Sequence, residues 1–420
     1  MIRLSTHHRS ESGQASMVTV AMFMMLFAVV AVSFTYIVVT TTRQATNETL
    51  QSTAKSAAES GVEDAKRLLV YCYGQSRDAS GDYANATARA VCPQVIGHKL
   101  DDSGYDCQDV LGAVASVDLS GFVVEEDGEG GYRAKIGGDD SDAQGSNVEY
   151  YQCLKIATKT LNYESVANAN DSSVIVPLQL VNAAGDVVNV SRIDISWHRN
   201  AVGEAGDQPA SNPRDGSSLP SESVWNGAGN LPAVLRAELV GAPKNNVSVA
   251  SLVSNDAAVT LRPSTSGSTS VAIMNYKPAY NDANGSNDTP NSQYPSGVPI
   301  LPVRCNGNTG NYSCKVSLTG SFNLNSYDYY LRINAIYKNT HFSIMAYDAS
   351  GNALYFDGVQ PVVDVTGKSA DSFTRVQAHL EPTYSNDDTN WWPEYAIDTD
   401  GKVCKDIDVF YDNGEDNCSY

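Results

Sequence analysis

The stretch Gly13–Tyr71, GQASMVTVAMFMMLFAVVAVSFTYIVVTTTRQATNETLQSTAKSAAESGVEDAKRLLVY, decides how the rest of the chain is read. No Asp, Glu, Lys or Arg occurs between Glu11 and Arg43. An uncharged apolar run of about 18 residues or more can cross a hydrocarbon core of about 30 Å as a helix. Backbone polar groups in lipid must pair internally, so a single segment of this kind has to be helical there. Beyond Arg43 the pattern does not turn. Leu50, Ala54, Ala57, Ala58, Val62, Ala65, Leu68 and Leu69 recur mostly at helical spacing. The reading is one long helix, apolar all round in residues 14–42 and amphipathic in residues 43–71. The β-branched run Val38–Thr42 has poor helix propensity and is where fraying is expected.

Working outward, the leader 1–13 is short and polar, and carries Arg3, Arg9 and Glu11. Its positive balance against the acidic residues further on favours a cytoplasmic N-terminus and an external bulk, a single pass through the cytoplasmic membrane. No small-residue cleavage site of secretory type follows the apolar core. On the amphipathic half, Ala54, Ala57, Ala58, Gly61 and Ala65 form a small-residue face. The upper part, Val62–Leu69, is expected to pack on the chain's own globular region and the lower part to meet other subunits. Lys55 with Glu59, and Glu63 with Arg67, stand at i,i+4.

The chain has 420 residues and a formal net charge of -20. A polyanionic surface excludes nucleic acid as a natural partner, because such binding needs a basic footprint. Eight cysteines, Cys72, Cys92, Cys107, Cys153, Cys305, Cys314, Cys404 and Cys418, all follow the apolar run. An even count in an exported region points to disulfides. Pairing of near neighbours is the expectation: Cys72 with Cys92, Cys107 with Cys153, Cys305 with Cys314, Cys404 with Cys418.

Past Cys72 the composition shifts to Gly, Ser, Asn, Asp, Thr and Val, and strand-like alternation appears. Strands are expected at Ser173–Val181, Ser191–Trp197, Val234–Val240, Ser270–Tyr276, Asp328–Tyr337, His341–Ala346, Leu354–Phe356 and Ser372–Leu380. Turn signals make Tyr329–Asp357 a three-stranded meander. Asp127–Asn147, Ala201–Ser223 and Tyr276–Val303 have the composition of loops. The fold class is therefore α+β: a long N-terminal helix carrying a mainly antiparallel, β-rich external region. Its expected parts are a lower lobe at 72–200, a linker at 201–223, a β-rich lobe at 224–383 and an acidic, disulfide-stapled tail at 384–420.

Chemistry-bearing motifs are sparse. No HExxH, GxSxG or phosphate-binding glycine loop occurs, and an enzyme is not expected. In the tail, Asp398-Thr399-Asp400-Gly401 resembles the start of a calcium loop. Val403 and Val409 stand where an EF loop needs Gly and Glu, so that reading fails. An irregular calcium site at Asp398, Asp400 and Asp406 is left as the alternative to a solvated acidic turn; no other cofactor is expected. Exposed aromatics such as Trp391 and Trp392 are candidates for a glycan or host-surface ligand, and otherwise fill β cores.

The leader ending in Gly13, the apolar helix and the stretch Ala57-Ala58-Glu59-Ser60-Gly61-Val62-Glu63-Asp64-Ala65 together resemble the N-terminus of type IV pilins, and more narrowly the PilX-like minor pilins. Gly367, Ala370, Asp371 and Arg375 resemble an ending found in the same family. The resemblance implies cleavage between Gly13 and Gln14 by a prepilin peptidase. It also implies partners among other pilin subunits and the pilus assembly machinery, and a structural role in fibre assembly, tip display or adhesion at the cell surface. Val18 stands where major pilins carry a Glu, which is similar to minor pilins and pseudopilins. The competing expectation is an uncut, membrane-anchored surface adhesin that never enters a fibre.

Overall fold

The computed structural model describes residues 12–380 except 79–80, 118, 129, 136–149, 170–172, 200–218, 220, 228–230, 246–251, 253–254, 276–279, 282–286, 289–298 and 310–311. Most of the 201–223 linker and all of the 384–420 tail lie outside the described residues. So do Cys404, Cys418, Trp391, Trp392 and the calcium candidates Asp398, Asp400 and Asp406.

Helix α1 is a single unbroken element, Ser12–Tyr73, 62 residues long. The expected fraying at Val38–Thr42 is absent. Thr41 and Thr42 donate their hydroxyls to the carbonyls of Ile37 and Val38 at 2.9 and 2.8 Å, and Thr40 does the same to Tyr36. Side chains that bond back to the preceding turn remove polar groups that would otherwise compete with the helix.

The chain divides into two compact units. One comprises Met1–Ala157 and Val362–Ala378; the other comprises Thr158–Pro361 and His379–Tyr420. The division thus falls at 157 and 361, not between lobes at 72–200 and 224–383, because the strand 362–369 joins the early part of the chain.

In the first unit α1 is followed by helices α2 (Ala86–Val95) and α3 (Asp109–Ala115). Asn85 caps α2, its side chain accepting from the Thr87 amide at 2.8 Å. This satisfies one of the four amides a helix start leaves without a partner. The strands Val124–Glu126, Tyr132–Lys135, Tyr150–Thr160, Ala353–Ser369 and Ser372–His379 then lie side by side in that order. The second falls inside Asp127–Asn147, which reads as loop from composition.

Most strands of the second unit belong to one sheet. Its strands run in the order Thr340–Tyr347, Val190–Arg199, Tyr312–Phe322, Ile300–Thr309, Asp256–Ser264, Val234–Pro243, Tyr327–Ile336 and Val174–Pro177. Pairing is antiparallel except between Ile300–Thr309 and Asp256–Ser264, and between Ser270–Ala272 and Tyr312–Phe322. Both ends of the sheet bury their inner faces in one core. Ile195, Trp197, Val316 and Phe342 come from one end, and Leu235, Val259, Leu331 and Ile333 from the other. Burial of such side chains contributes about 1.5–3 kcal/mol each, before the entropy of ordering is set against it. The side chain of Gln360 acts as an extra strand rung, accepting from the Glu164 amide at 2.8 Å and donating to its carbonyl at 2.7 Å.

The expected meander at Tyr329–Asp357 is corrected. Thr340–Tyr347 pairs with Ala353–Ser369 and Val190–Arg199, whereas Tyr327–Ile336 pairs with Val234–Pro243 and Val174–Pro177. Tyr337 between them sits at φ 76°, a left-handed conformation that redirects the chain instead of folding it into a hairpin. The expected strand at Ser270–Tyr276 is only Ser270–Ala272, followed by a 3-10 turn at Ile273–Asn275.

Candidate functional site

Helix α1 has two environments within one rod. In its first half, large apolar side chains stand free: Met22 is 72% exposed, Phe27 68% and Val32 70%. From Thr19 on, α1 is long and apolar enough to span a membrane, and its most apolar window is wholly exposed. Two hydroxyls here are satisfied within the helix: Ser33 donates to Val29 and Thr35 to Ala31, each at 2.8 Å. Gly13, Gln14 and Val18 fall in the first turns of α1, where the backbone is helical.

In the second half the exposure reverses on one face. Ala54, Ala57, Ala58, Ala65 and Leu68 are completely buried, as nearly are Val62, Leu69 and Cys72. The small-residue face is therefore covered by the chain's own sheet from Ala54 onward, and its lower part is not left open for other subunits. Contact is so close that it depends on two glycines. A Cβ on Gly367 would collide with the Ala54 carbonyl and the Ala58 amide of α1. One on Gly61 would stand 2.6 Å from Val365 and 3.0 Å from the Tyr151 ring. Small residues let backbones approach and so maximise dispersion contacts, which is why the stripe is built of Ala and Gly.

A buried polar contact crosses this seam. Tyr151 donates its hydroxyl to Asp64 Oδ2 at 2.8 Å. Burial pushes the Asp64 carboxyl above its ordinary range, while the Tyr151 hydroxyl and the Arg67 guanidinium pull it back in part. Burial and the neighbouring carboxylate likewise push the Tyr151 phenol up. The surface ion pairs of the helix differ from expectation. Lys55 meets Glu59 at 3.7 Å as read, but Glu63 pairs with Lys66 at 2.6 Å and Arg67 reaches Asp64 at 3.5 Å. Asp64 is fixed by Tyr151, so it is the better-placed acid for Arg67.

The second resembling stretch lies against the same seam. Gly367 is in the strand next to Tyr150–Thr160, and Ala370-Asp371 makes the turn into Ser372–His379. Ala370 takes φ 48°, unusual for a residue with a side chain. Arg375 then folds back on Asp364, its Nε donating at 2.7 Å and its Nη2 forming the second arm. Asp364 is almost fully buried, so this two-armed pair is what satisfies its carboxylate. Thr374 touches α1 directly through the Gln51 carbonyl at 3.4 Å.

Of the expected disulfides, Cys72–Cys92 and Cys305–Cys314 are formed. The first ties the end of α1 to α2. The second joins residues that face each other across adjacent strands. Cys107 and Cys153 are neighbours as expected, the Leu154 amide donating to the Cys107 carbonyl at 3.0 Å, but they are free thiols and not a bridge. Among the described residues no group of three or more His, Cys, Asp or Glu is placed to hold a metal ion.

Neither a family model, nor a curated protein, nor a solved structure matches this chain. Sequence reasoning found Gly61, Gly367 and Arg375 but missed Tyr151, Val365 and Asp364. Tyr150–Thr160 carries Tyr151, and its burial pattern breaks alternation near Cys153, so no period of two marks it.

Proposed function

We propose that this chain is a structural subunit of a type IV pilus-like fibre, similar to the PilX-like minor pilins, held in the cytoplasmic membrane by α1 before assembly. The observation that carries the reading is that α1 continues without a break from a bare apolar half into a half sealed by small residues against a sheet. A rod of that design can sit in lipid and later pack on sister rods, since helix association in lipid is driven by close packing and not by hydrophobicity. Supporting it, the two stretches that resemble the family, Ala57–Ala65 and Gly367–Arg375, meet in one folded unit. On this reading the N-terminus is cytoplasmic, the two units are external, and the role is assembly or tip display, with adhesion through the outer surface. The protein is not an enzyme on this reading.

The test is N-terminal sequencing of the membrane-extracted protein together with analysis of sheared appendages. A chain beginning at Gln14 and found in the appendages supports the proposal. A chain retaining Met1 and missing from the appendages overturns it in favour of an uncut surface adhesin.

A further inference from the structure

Unit one holds a feature that fibre assembly does not use. Cys107 stands just before α3, and Cys153 stands in the strand Tyr150–Thr160. The Leu154 amide donates to the Cys107 carbonyl at 3.0 Å. Beside it, Gln108 donates its side-chain amide to the Gln152 carbonyl and accepts from the Tyr132 amide at 2.6 Å. The segment that carries Cys107 is thus laid along the strand by two hydrogen bonds, with a third to the neighbouring strand at Tyr132, and none of them needs a sulfur bridge. These bonds hold the two cysteines beside one another, and both are free thiols.

The contrast with the other pairs is in exposure. Cys72, Cys92, Cys305 and Cys314 are 2% exposed or less, whereas Cys107 and Cys153 are both partly open to solvent. We propose that Cys107 and Cys153 are a reversible redox-modification site, closed by a disulfide-donating oxidant and reopened by a thiol reductant while the two buried bridges stay intact.

The chemistry balances as thiol–disulfide exchange. The Cys107 thiol gives up its proton and its thiolate attacks one sulfur of the external disulfide, expelling the other as a thiolate. Cys153 then loses its proton and attacks the Cys107 sulfur of the mixed disulfide, which releases the second external thiolate. Two protein thiols are oxidised to one disulfide, and one external disulfide is reduced to two thiols. Cys107 is the first attacker because burial and its neighbours raise the Cys153 thiol strongly, and thiolate is the reacting form. The same upward push keeps thiolate scarce at neutral pH, so exchange quickens as pH rises. Preformed backbone contacts make the second step fast once the first has occurred. This inference stands apart from the pilin reading: it holds equally for an uncut anchor.

The test uses the full-length chain in detergent micelles, equilibrated in glutathione buffers from reducing to oxidising. Samples are quenched in acid, labelled with N-ethylmaleimide and read peptide by peptide by mass spectrometry. The expected result is that Cys107 and Cys153 lose their labels together as the buffer becomes oxidising and regain them on reversal. Cys72, Cys92, Cys305 and Cys314 stay unlabelled throughout. In Cys153→Ser, Cys107 is left holding a lasting glutathione adduct. The proposal is overturned if the pair changes only when the buried bridges do, if glutathione persists on either cysteine of the unmodified chain, or if Cys107 of the variant takes up none.

Discussion

The phenol of Tyr151 and the carboxylate of Asp64 are joined by a 2.8 Å hydrogen bond across the seam between α1 and the sheet it carries. In the folded chain burial raises the Asp64 carboxyl above its unperturbed 3.8, the Tyr151 and Arg67 contacts offsetting this only in part. A folded pKa above the unfolded one means that the folded state holds the proton more tightly. The contribution of this site to stability is therefore greatest below the unfolded pKa and is lost as pH rises through the folded pKa. Asp64→Asn keeps an acceptor for Tyr151 and should flatten that pH dependence. Tyr151→Phe strips a buried carboxylate of its donor and should cost about 1–3 kcal/mol at neutral pH. Hydrogen exchange of the amides at 54–69, followed from acid to neutral pH, reads both.

Gly367→Ala and Gly61→Ala should differ in severity. At Gly367 the new methyl meets backbone atoms of α1, which cannot turn aside; at Gly61 it meets side chains of Val365 and Tyr151, which can shift. Overpacking typically costs about 1–3 kcal/mol, and in a helix interior Ala recovers about 1 kcal/mol over Gly. Gly367→Ala is expected at or above the top of that range and Gly61→Ala near its bottom. Thermal unfolding and protease resistance of α1 rank them.

Arg375→Ala should destabilise the first unit by about 1–3 kcal/mol, because Asp364 is left buried without its two-armed donor. Arg375→Lys restores charge but not the fork and should fall between. Replacing both residues, as Asp364→Asn with Arg375→Ala, should cost less than Arg375→Ala alone. Denaturant titration of the set measures the coupling.

Removing the Cys72–Cys92 bridge, which spans 20 residues of sequence, should cost about 3 kcal/mol on the chain-entropy account. The Cys305–Cys314 bridge spans 9 and should matter slightly less on that account. Serine pairs at each site, compared by thermal unfolding, check the order.

A chain starting at Gln44 loses the bare apolar half of α1 but keeps every buried residue of the stripe, which begins at Ala54. It should leave the membrane fraction while retaining the native β content. Fractionation and circular dichroism decide this.

The helix was legible because its signals are local and strong: one uncharged apolar run and one small-residue stripe. Several strands were legible too, Val190–Arg199 and Val234–Pro243 among them, where apolar and polar residues alternate. Asp256–Ser264 was not, because all nine of its residues are buried and nothing alternates. The seam was half legible. Gly61 and Gly367 each stood out, but no local signal says that residues three hundred positions apart touch. Nor does spacing alone reveal that Cys107 and Cys153 meet as thiols.

The second unit is inserted into the first, entering within Tyr150–Thr160 and returning within Ala353–Ser369. During synthesis, the Ala-Gly face of α1 therefore emerges long before the strand bearing Gly367 exists to cover it. Closing so long a loop slows maturation and prolongs a sticky intermediate. Until nearly the whole insert has been made, that face has nothing of its own chain to rest on.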